Sequence, residues 1–218
     1  MIMENRKYDA VIFDLDGTLL NTLGDLTAGV NYAMDQFGFP HRTIDEVERF
    51  IGNGVKVLID LSVPAGTDEK TAADCLAVYK EYYSTHLDVY TKPYEGIREL
   101  LVSLKEAGMK TAVVSNKYDS ATKHLAKLHF DGLLGFALGE RADIKRKPAP
   151  DALFYAMEQI GAKKAIYVGD SEVDVKIARN AGMECIGVSW GFRGRARLEE
   201  EGADFIIDKP EELLPIVL

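Results

Sequence analysis

An α/β fold, with a parallel sheet interrupted by an all-helical insert, is what this chain predicts, and three observations carry it. The apolar run Ala10-Val11-Ile12-Phe13 reads as a buried strand that ends abruptly in polar residues. Between positions 20 and 88 apolar residues recur at helical spacings of three and four, with no strand signal of any strength. From residue 89 onward short strands and helices alternate with brief connections, the pattern of a parallel sheet covered on both faces. A chain of 218 residues has room for such a Rossmann-like core and a small insert.

Each element has its own signal. Leu23, Leu26, Val30, Met34 and Phe37 mark a helix closed by Gly38 and Pro40. A short segment at 44–50 is interrupted by Gly52-Asn53-Gly54, and a third at 55–61 is broken by Pro64 and Gly66. Thr67 is predicted to cap a long helix whose buried stripe is Ala72, Leu76, Tyr79 and Tyr83. These helices place an insert at 21–87, with the sheet-bearing part at 1–20 and 88–218. In that second part, Ile97, Leu101 and Leu104 form a helix face closed by Gly108, followed by a strand at 110–114 and a helix carrying Leu125 and Leu128. A weaker strand is predicted near 136–138, then a helix with Leu153, Phe154, Met157 and Ile160. Strands at 165–168 and 185–188 flank a helix with Val173, Ile177 and Ala181, and a strand at 204–207 and a helix at 211–217 end the chain.

Composition narrows the function. The hydrophobic content of 47% and charged content of 28% are those of an ordinary globular protein. A net charge of -9 repels nucleic acid and anionic membranes on average, so neither is expected as a partner. Cys75 and Cys185 match no metal-ligand or redox spacing and read as buried thiols in a reducing compartment. The N-terminal residues lack the apolar stretch of a signal peptide, and no later run reaches membrane-spanning length, so the cytoplasm is the expected location. A monomer or weak homodimer is expected.

Chemistry gathers at the strand ends. The first strand runs into Asp14-Leu15-Asp16-Gly17-Thr18-Leu19, and two carboxylates at the edge of a core are costly unless they bind something. Gly17 lets the chain turn away, while Thr18 offers a hydroxyl and a backbone N–H. The strand at 110–114 ends in Ser115-Asn116-Lys117 and that at 165–168 in Gly169-Asp170, with Asp174 one helical turn on. Parallel sheets bind ligands beyond the carboxyl ends of their strands, so a doubly wound fold would bring these ends together. Asp14, Asp16 and Asp170 would then surround one point, and oxygen donors without His or Cys select Mg²⁺ over zinc. Lys147, held in Lys147-Pro148-Ala149-Pro150, supplies an aimed cation of the kind a phosphoryl group needs, whereas Lys145 and Arg146 read as solvated. Asp174 can orient a metal-bound water or simply favour its helix dipole.

These residues resemble the haloacid dehalogenase-like hydrolases, in the branch with a helical cap inserted after the first strand. Four motifs match in order across nearly the whole chain: Asp-x-Asp-Gly-Thr-Leu at 14–19, the strand-end Ser115, the Lys-Pro-x-Pro lysine at 147 and Gly-Asp-x-x-x-Asp at 169–174. Within the family, Ile51-Gly52-Asn53-Gly54 and Ser115-Asn116-Lys117 look like those of phosphoglycolate phosphatases.

The resemblance implies a Mg²⁺-dependent phosphatase acting on a small phosphorylated metabolite. Asp14 would be the nucleophile that forms an aspartyl-phosphate, and Asp16 the acid and base that serves the leaving group and then water. Asp14, the backbone carbonyl of Asp16, and Asp170 would hold the metal, with Asp174 touching it directly or orienting a metal-bound water. Ser115 and Lys147 would hold phosphoryl oxygens, helped by backbone N–H groups near Thr18 and Asn116. Gly52, Asn53 and Gly54 would meet the leaving group from the cap, although two glycines also break helices for structural reasons. The chain departs from the phosphoglycolate pattern at Asn21, where many relatives carry Asp, and in 55–61, which lacks an arginine that relatives often have. Lys56 could replace that charge or be solvated.

Other readings are separable. A β-phosphoglucomutase-like enzyme would carry a His where this chain has Leu26, and a pyrophosphatase of the same superfamily shares the core motifs. A non-catalytic receiver phosphorylated on Asp14 would do better without Asp16, which shortens the life of a phosphoaspartate. Nucleotide-binding glycine patterns are absent from the sequence. Trp190, Phe192, Arg193, Arg195 and Arg197 would lie on the rim, the arginines either steering anions or forming a solvated loop, and His41, His86, His124 and His129 fit no ligand spacing.

Overall fold

The computed structural model describes residues 6–218. Most of the N-terminal stretch read above for a signal peptide therefore lies outside the described residues. In chain order the first elements are β1 (Ala10–Phe13), β2 (Leu20–Asn21), α1 (Leu23–Gln36), α2 (Ile44–Phe50), α3 (Val55–Ser62), α4 (Glu69–Thr85) and β3 (Lys92–Pro93). Then come α5 (Ile97–Glu106), β4 (Lys110–Tyr118), α6 (Asp119–Phe130), β5 (Phe136–Glu140), α7 (Asp151–Ile160), β6 (Ala165–Gly169), α8 (Glu172–Asn180) and β7 (Cys185–Val188). The chain closes with α9 (Gly194–Glu201), β8 (Phe205–Ile207), a 3₁₀ turn at Pro210–Leu213 and α10 (Leu214–Val217). Two compact units result, one of Asn21–Lys92 and one of the chain up to Leu20 together with Pro93–Leu218. The chain crosses between them inside β2 and inside β3.

The larger unit is an α/β sheet of six strands in the order β5-β4-β1-β6-β7-β8, parallel throughout. Strands β1 and β6 are buried along their whole length, as expected where helices cover both faces. On one face Ala10, Ile12, Ala112, Val114 and Tyr167 pack with Leu153 and Ala156 of α7 and Ile177 of α8. Burying each Val, Leu or Ile here stabilises by roughly 1.5–3 kcal/mol. Phe13 pairs with Val113 on one side and Val168 on the other, so the chain ends carrying Asp14, Ser115 and Asp170 emerge side by side. β4 does not stop at Val114; it runs on to Tyr118, with its register against β5 shifting between Val114 and Tyr118. Such an irregularity re-aims side chains, and here it falls on Ser115-Asn116-Lys117.

The smaller unit is helical, apart from the ends of β2 and β3 that the sequence pattern did not signal. Leu26, Val30, Ala33 and Met34 form the buried face of α1. A Cβ on Gly29 would stand 2.9 Å from the ring of Tyr79, so glycine is what lets α4 pack this close. The stripe of α4 is Cys75, Tyr79 and Tyr83 rather than the predicted Ala72 and Leu76 with the two tyrosines. Its cap is Asp68, which accepts the Thr71 N–H at 3.0 Å, while the Thr67 hydroxyl donates to the Pro64 carbonyl at 2.7 Å. A carboxylate accepts more strongly than a hydroxyl at a helix N-terminus, which explains the one-residue shift. Asp25 is buried and holds the return segment to α1, accepting the N–H groups of Tyr90 at 3.0 Å and Thr91 at 2.8 Å and the Thr91 hydroxyl at 2.7 Å. These bonds carry the helical unit to Lys92, past the boundary expected at 87.

Candidate active site

The end of β1 sets the first carboxylates. Asp14 stays in the ladder through its N–H, which donates to the Val168 carbonyl at 2.8 Å, and its side chain is buried. Gly17 has φ +82°, and a Cβ there would lie 2.4 Å from an Asp170 oxygen, so the turn needs glycine both for its conformation and for this approach. Thr18 donates its hydroxyl to Asp170 at 3.4 Å. Its N–H, which the sequence reading offered to a phosphoryl group, instead donates to the Leu15 carbonyl at 3.3 Å to close the turn.

Lys147 stands at the centre. Its ammonium lies 2.9 Å from Asp14 Oδ2, 2.8 Å from Asp174 Oδ1 and 3.2 Å from the Tyr167 hydroxyl. Asn116 grips its backbone from both sides, accepting the Lys147 N–H at 3.0 Å and donating to its carbonyl at 3.2 Å. Burial works to neutralise Lys147, but the charges of Asp14 and Asp174 outweigh it and hold the ammonium charged. Asp14 is pushed up to about 7, chiefly by burial, against the pull of Lys147. Burial, with Asp174 and Asp14 nearby, likewise drives Asp170 well above the usual carboxylate range.

Asp174 is engaged on both oxygens. Oδ1 accepts from Lys147 and Tyr167, and Oδ2 from the Ser171 N–H at 3.0 Å and hydroxyl at 2.6 Å in a capping box that starts α8. A Cβ on Gly169 would fall 2.3 Å from the Asp174 side chain, so that glycine is what admits the carboxylate. Asp170 is fixed by the Phe192 N–H at 2.8 Å, and Gly191 allows the loop to lie against it. The Trp190 indole N–H donates to the Thr18 carbonyl at 3.1 Å. Sequence reasoning placed Trp190 and Phe192 only on the rim and missed Tyr167; a tyrosine in an otherwise aliphatic buried strand was the available signal, since its hydroxyl must find a partner.

The oxygens of Asp14, Asp170 and Asp174 lie within 4.8 Å of one another. These three buried carboxylates, with the Lys147 ammonium set among them, form an all-oxygen donor set that fits a hard divalent cation. Asp16 is apart from this cluster in its charge pairing: Lys117 Nζ lies 3.0 and 3.3 Å from its two oxygens. Ser115 is buried at the same strand end, and its hydroxyl accepts the Lys117 N–H at 3.3 Å.

The remaining expected residues belong to other elements. Gly52, Asn53 and Gly54 occupy the α2–α3 loop of the helical unit, with φ of +114° at Gly52 and +82° at Gly54, conformations that favour glycine. Lys56 pairs with Asp60 at 2.6 Å on an exposed helix face. The arginine rim is not an open loop: α9 forms there, with Arg193 3.4 Å from Glu172, Arg195 2.8 Å from Asp208 and Arg197 2.9 Å from Glu201. Among the described residues, no helix is long and apolar enough to cross a membrane.

The family model of the haloacid dehalogenase-like hydrolases matches residues 11–188, from inside β1 to the end of β7. The chain belongs to the haloacid dehalogenase-like hydrolases. Within that family it is similar to phosphoglycolate phosphatase 1 of Pseudomonas aeruginosa, 33% identical over 216 residues that cover 94% of this chain and 78% of that protein. It is also similar to the phosphoglycolate phosphatase of Aquifex aeolicus, 29% identical with 95% of each chain covered. A crystal structure from Lactobacillus delbrueckii subsp. bulgaricus superposes with a TM-score of 0.91 at 38% identity, covering 97% of this chain and 99% of that one. The α/β core of this haloacid dehalogenase-like hydrolase is therefore that of its family, and the protein is a phosphoric monoester hydrolase.

Proposed function

We propose that this hydrolase is a Mg²⁺-dependent phosphatase that cleaves a small phosphate monoester through an aspartyl-phosphate on Asp14, with 2-phosphoglycolate as its substrate. The observation that carries this reading is the buried Asp14 carboxylate 2.9 Å from a buried ammonium and grouped with Asp170. Asp14 attacks phosphorus and the ester oxygen departs, which divides one hard displacement into two easier ones. Lys147 and the Ser115 hydroxyl bind the phosphoryl oxygens as their charge rearranges. Asp16 protonates the departing alcohol, then takes a proton from the water that hydrolyses the intermediate. Asp14, the Asp16 carbonyl and Asp170 would hold Mg²⁺, which supplies neutralising charge to the phosphoryl group. Asp174 serves this set by fixing Lys147, to which it is 2.8 Å away. Asn116, buried beside Ser115, completes the substrate-binding residues of the α/β unit.

The substrate rests on the similarity to phosphoglycolate phosphatases over nearly the full chain. A mutase-like transfer finds no support, since Leu26 is a buried apolar residue of α1 with no proton to give. A panel of 2-phosphoglycolate, sugar phosphates and pyrophosphate assayed with Mg²⁺ tests the reading, with highest kcat/KM expected for 2-phosphoglycolate. Acid-quenched enzyme should carry a hydroxylamine-labile phosphate that is lost in Asp14→Asn; turnover by that variant would remove Asp14 as nucleophile.

A further inference from the structure

The reaction uses one buried ammonium, yet the site contains two. Lys117, on the irregular end of β4, has a side chain only 4% exposed and holds both oxygens of Asp16, itself 13% exposed. A lysine taken out of water at this depth needs a compensating charge, and here that charge is the carboxylate placed on the leaving-group side of the reaction. Lys147 is committed to Asp14 and Asp174 on the phosphoryl side. The two cations are thus divided between the two halves of an ester.

We infer that Lys117 is the specificity-determining residue for the leaving group, binding a carboxylate carried on the carbon next to the ester oxygen. The inference deepens the phosphatase reading above and rests on its assignment of Asp16 to the leaving group. In a phosphate ester of a short 2-hydroxy acid, a single carbon separates the ester oxygen from the carboxylate. An ammonium in contact with the group that serves the ester oxygen is therefore within reach of that carboxylate, and substrate binding exchanges one carboxylate partner for another. A neutral leaving group offers no such partner. A site built around a buried charged donor discriminates strongly against analogues that leave it unpaired. Substrates of this class are selected by charge on the alcohol.

The test compares kcat/KM of wild type, Lys117→Met and Lys117→Arg on 2-phosphoglycolate, 2-hydroxyethyl phosphate and p-nitrophenyl phosphate, all with Mg²⁺. Wild type should prefer 2-phosphoglycolate to 2-hydroxyethyl phosphate by about 100-fold or more, and Lys117→Met should erase at least tenfold of that preference, mostly through KM, with Lys117→Arg keeping part of it. Equal losses on 2-phosphoglycolate and 2-hydroxyethyl phosphate would overturn the inference, leaving Lys117 as a positioning residue for Asp16. Wild type active on phosphate esters but without the preference would overturn it while sparing the phosphatase reading, whereas wild type inactive on all three would sink both. Wild type alone provides a second readout should the variants not fold: glycolate must inhibit p-nitrophenyl phosphate hydrolysis where ethylene glycol at the same concentration does not, and equal inhibition overturns the inference.

Discussion

The Lys147 ammonium lies 2.9 Å from the Asp14 carboxylate, inside the core rather than at its edge. Lys147→Met would leave Asp14, Asp170 and Asp174 buried without that cation. In metal-free protein we expect a loss of about 3–5 kcal/mol in urea unfolding, the range for breaking a buried ion pair. Mg²⁺ should restore part of it, and kcat should fall by roughly 10²–10³ as for loss of a charge-stabilising donor.

Asp14 makes stability depend on pH. Its pKa is raised by burial from 3.8 to about 7, so between those values the folded protein binds more protons than the unfolded chain. Stability therefore falls as pH rises from about 4 to 7 and stays lowered above that, by at most about 1.4 kcal/mol per pH unit across the window for this group. Asp170, also raised, acts with the same sign. Metal-free Asp14→Asn should show a shallower fall in urea unfolding across this range and exceed wild type in stability at pH 8. A slope identical to that of wild type would contradict the assignment.

Metal binding should be visible without turnover. At a Mg²⁺ concentration 100 times Kd, wild type should gain about 2.7 kcal/mol of stability. Asp170→Asn should lose most of that gain at the same concentration, and exhaustive EDTA treatment should abolish wild-type activity. Activity that survives EDTA would disprove the metal assignment.

Tyr167 ties the lysine to the sheet, its hydroxyl lying 3.2 Å from Lys147 Nζ and 3.0 Å from the Val114 carbonyl. Tyr167→Phe keeps the ring and removes these contacts together with the one to Asp174 Oδ1 at 3.2 Å. We expect a loss of roughly 1–2 kcal/mol in stability with a several-fold lower kcat, measured on p-nitrophenyl phosphate.

In the helical unit, Asp25 accepts the N–H groups of Tyr90 and Thr91. Asp25→Ala leaves these donors without their acceptor, at about 1–3 kcal/mol for each group that stays dry. Amide hydrogen exchange at Tyr90 and Thr91 should accelerate, while amides of β1 and β6 keep their protection.

The readable parts of this protein are those written over short distances. Short apolar runs located the strands of the large sheet, threefold and fourfold spacing located the helices, and Gly17 marked the turn after Asp14, because each signal comes from neighbours within one or two turns of chain. Small errors came from local competition, as where Asp68 rather than Thr67 caps α4. Lys147 could be singled out because two prolines flank it. For Lys117 and Tyr167 the local signals, a strand-end cluster and a hydroxyl in an aliphatic strand, say that each needs a partner but not which one.

By itself the sequence determined the α/β layout, the helical insert and the polar residues at the strand ends. Tertiary structure decided which charge meets which. Lys117 finds Asp16 across 101 residues, and Lys147 meets Asp174 across 27. Those pairings depend on β4, β1 and β6 lying adjacent and in register, so that three strand ends reach one place. Register is set by packing over the whole sheet rather than by any local pattern, and so the pairing of two buried lysines with different carboxylates emerges only in the folded protein.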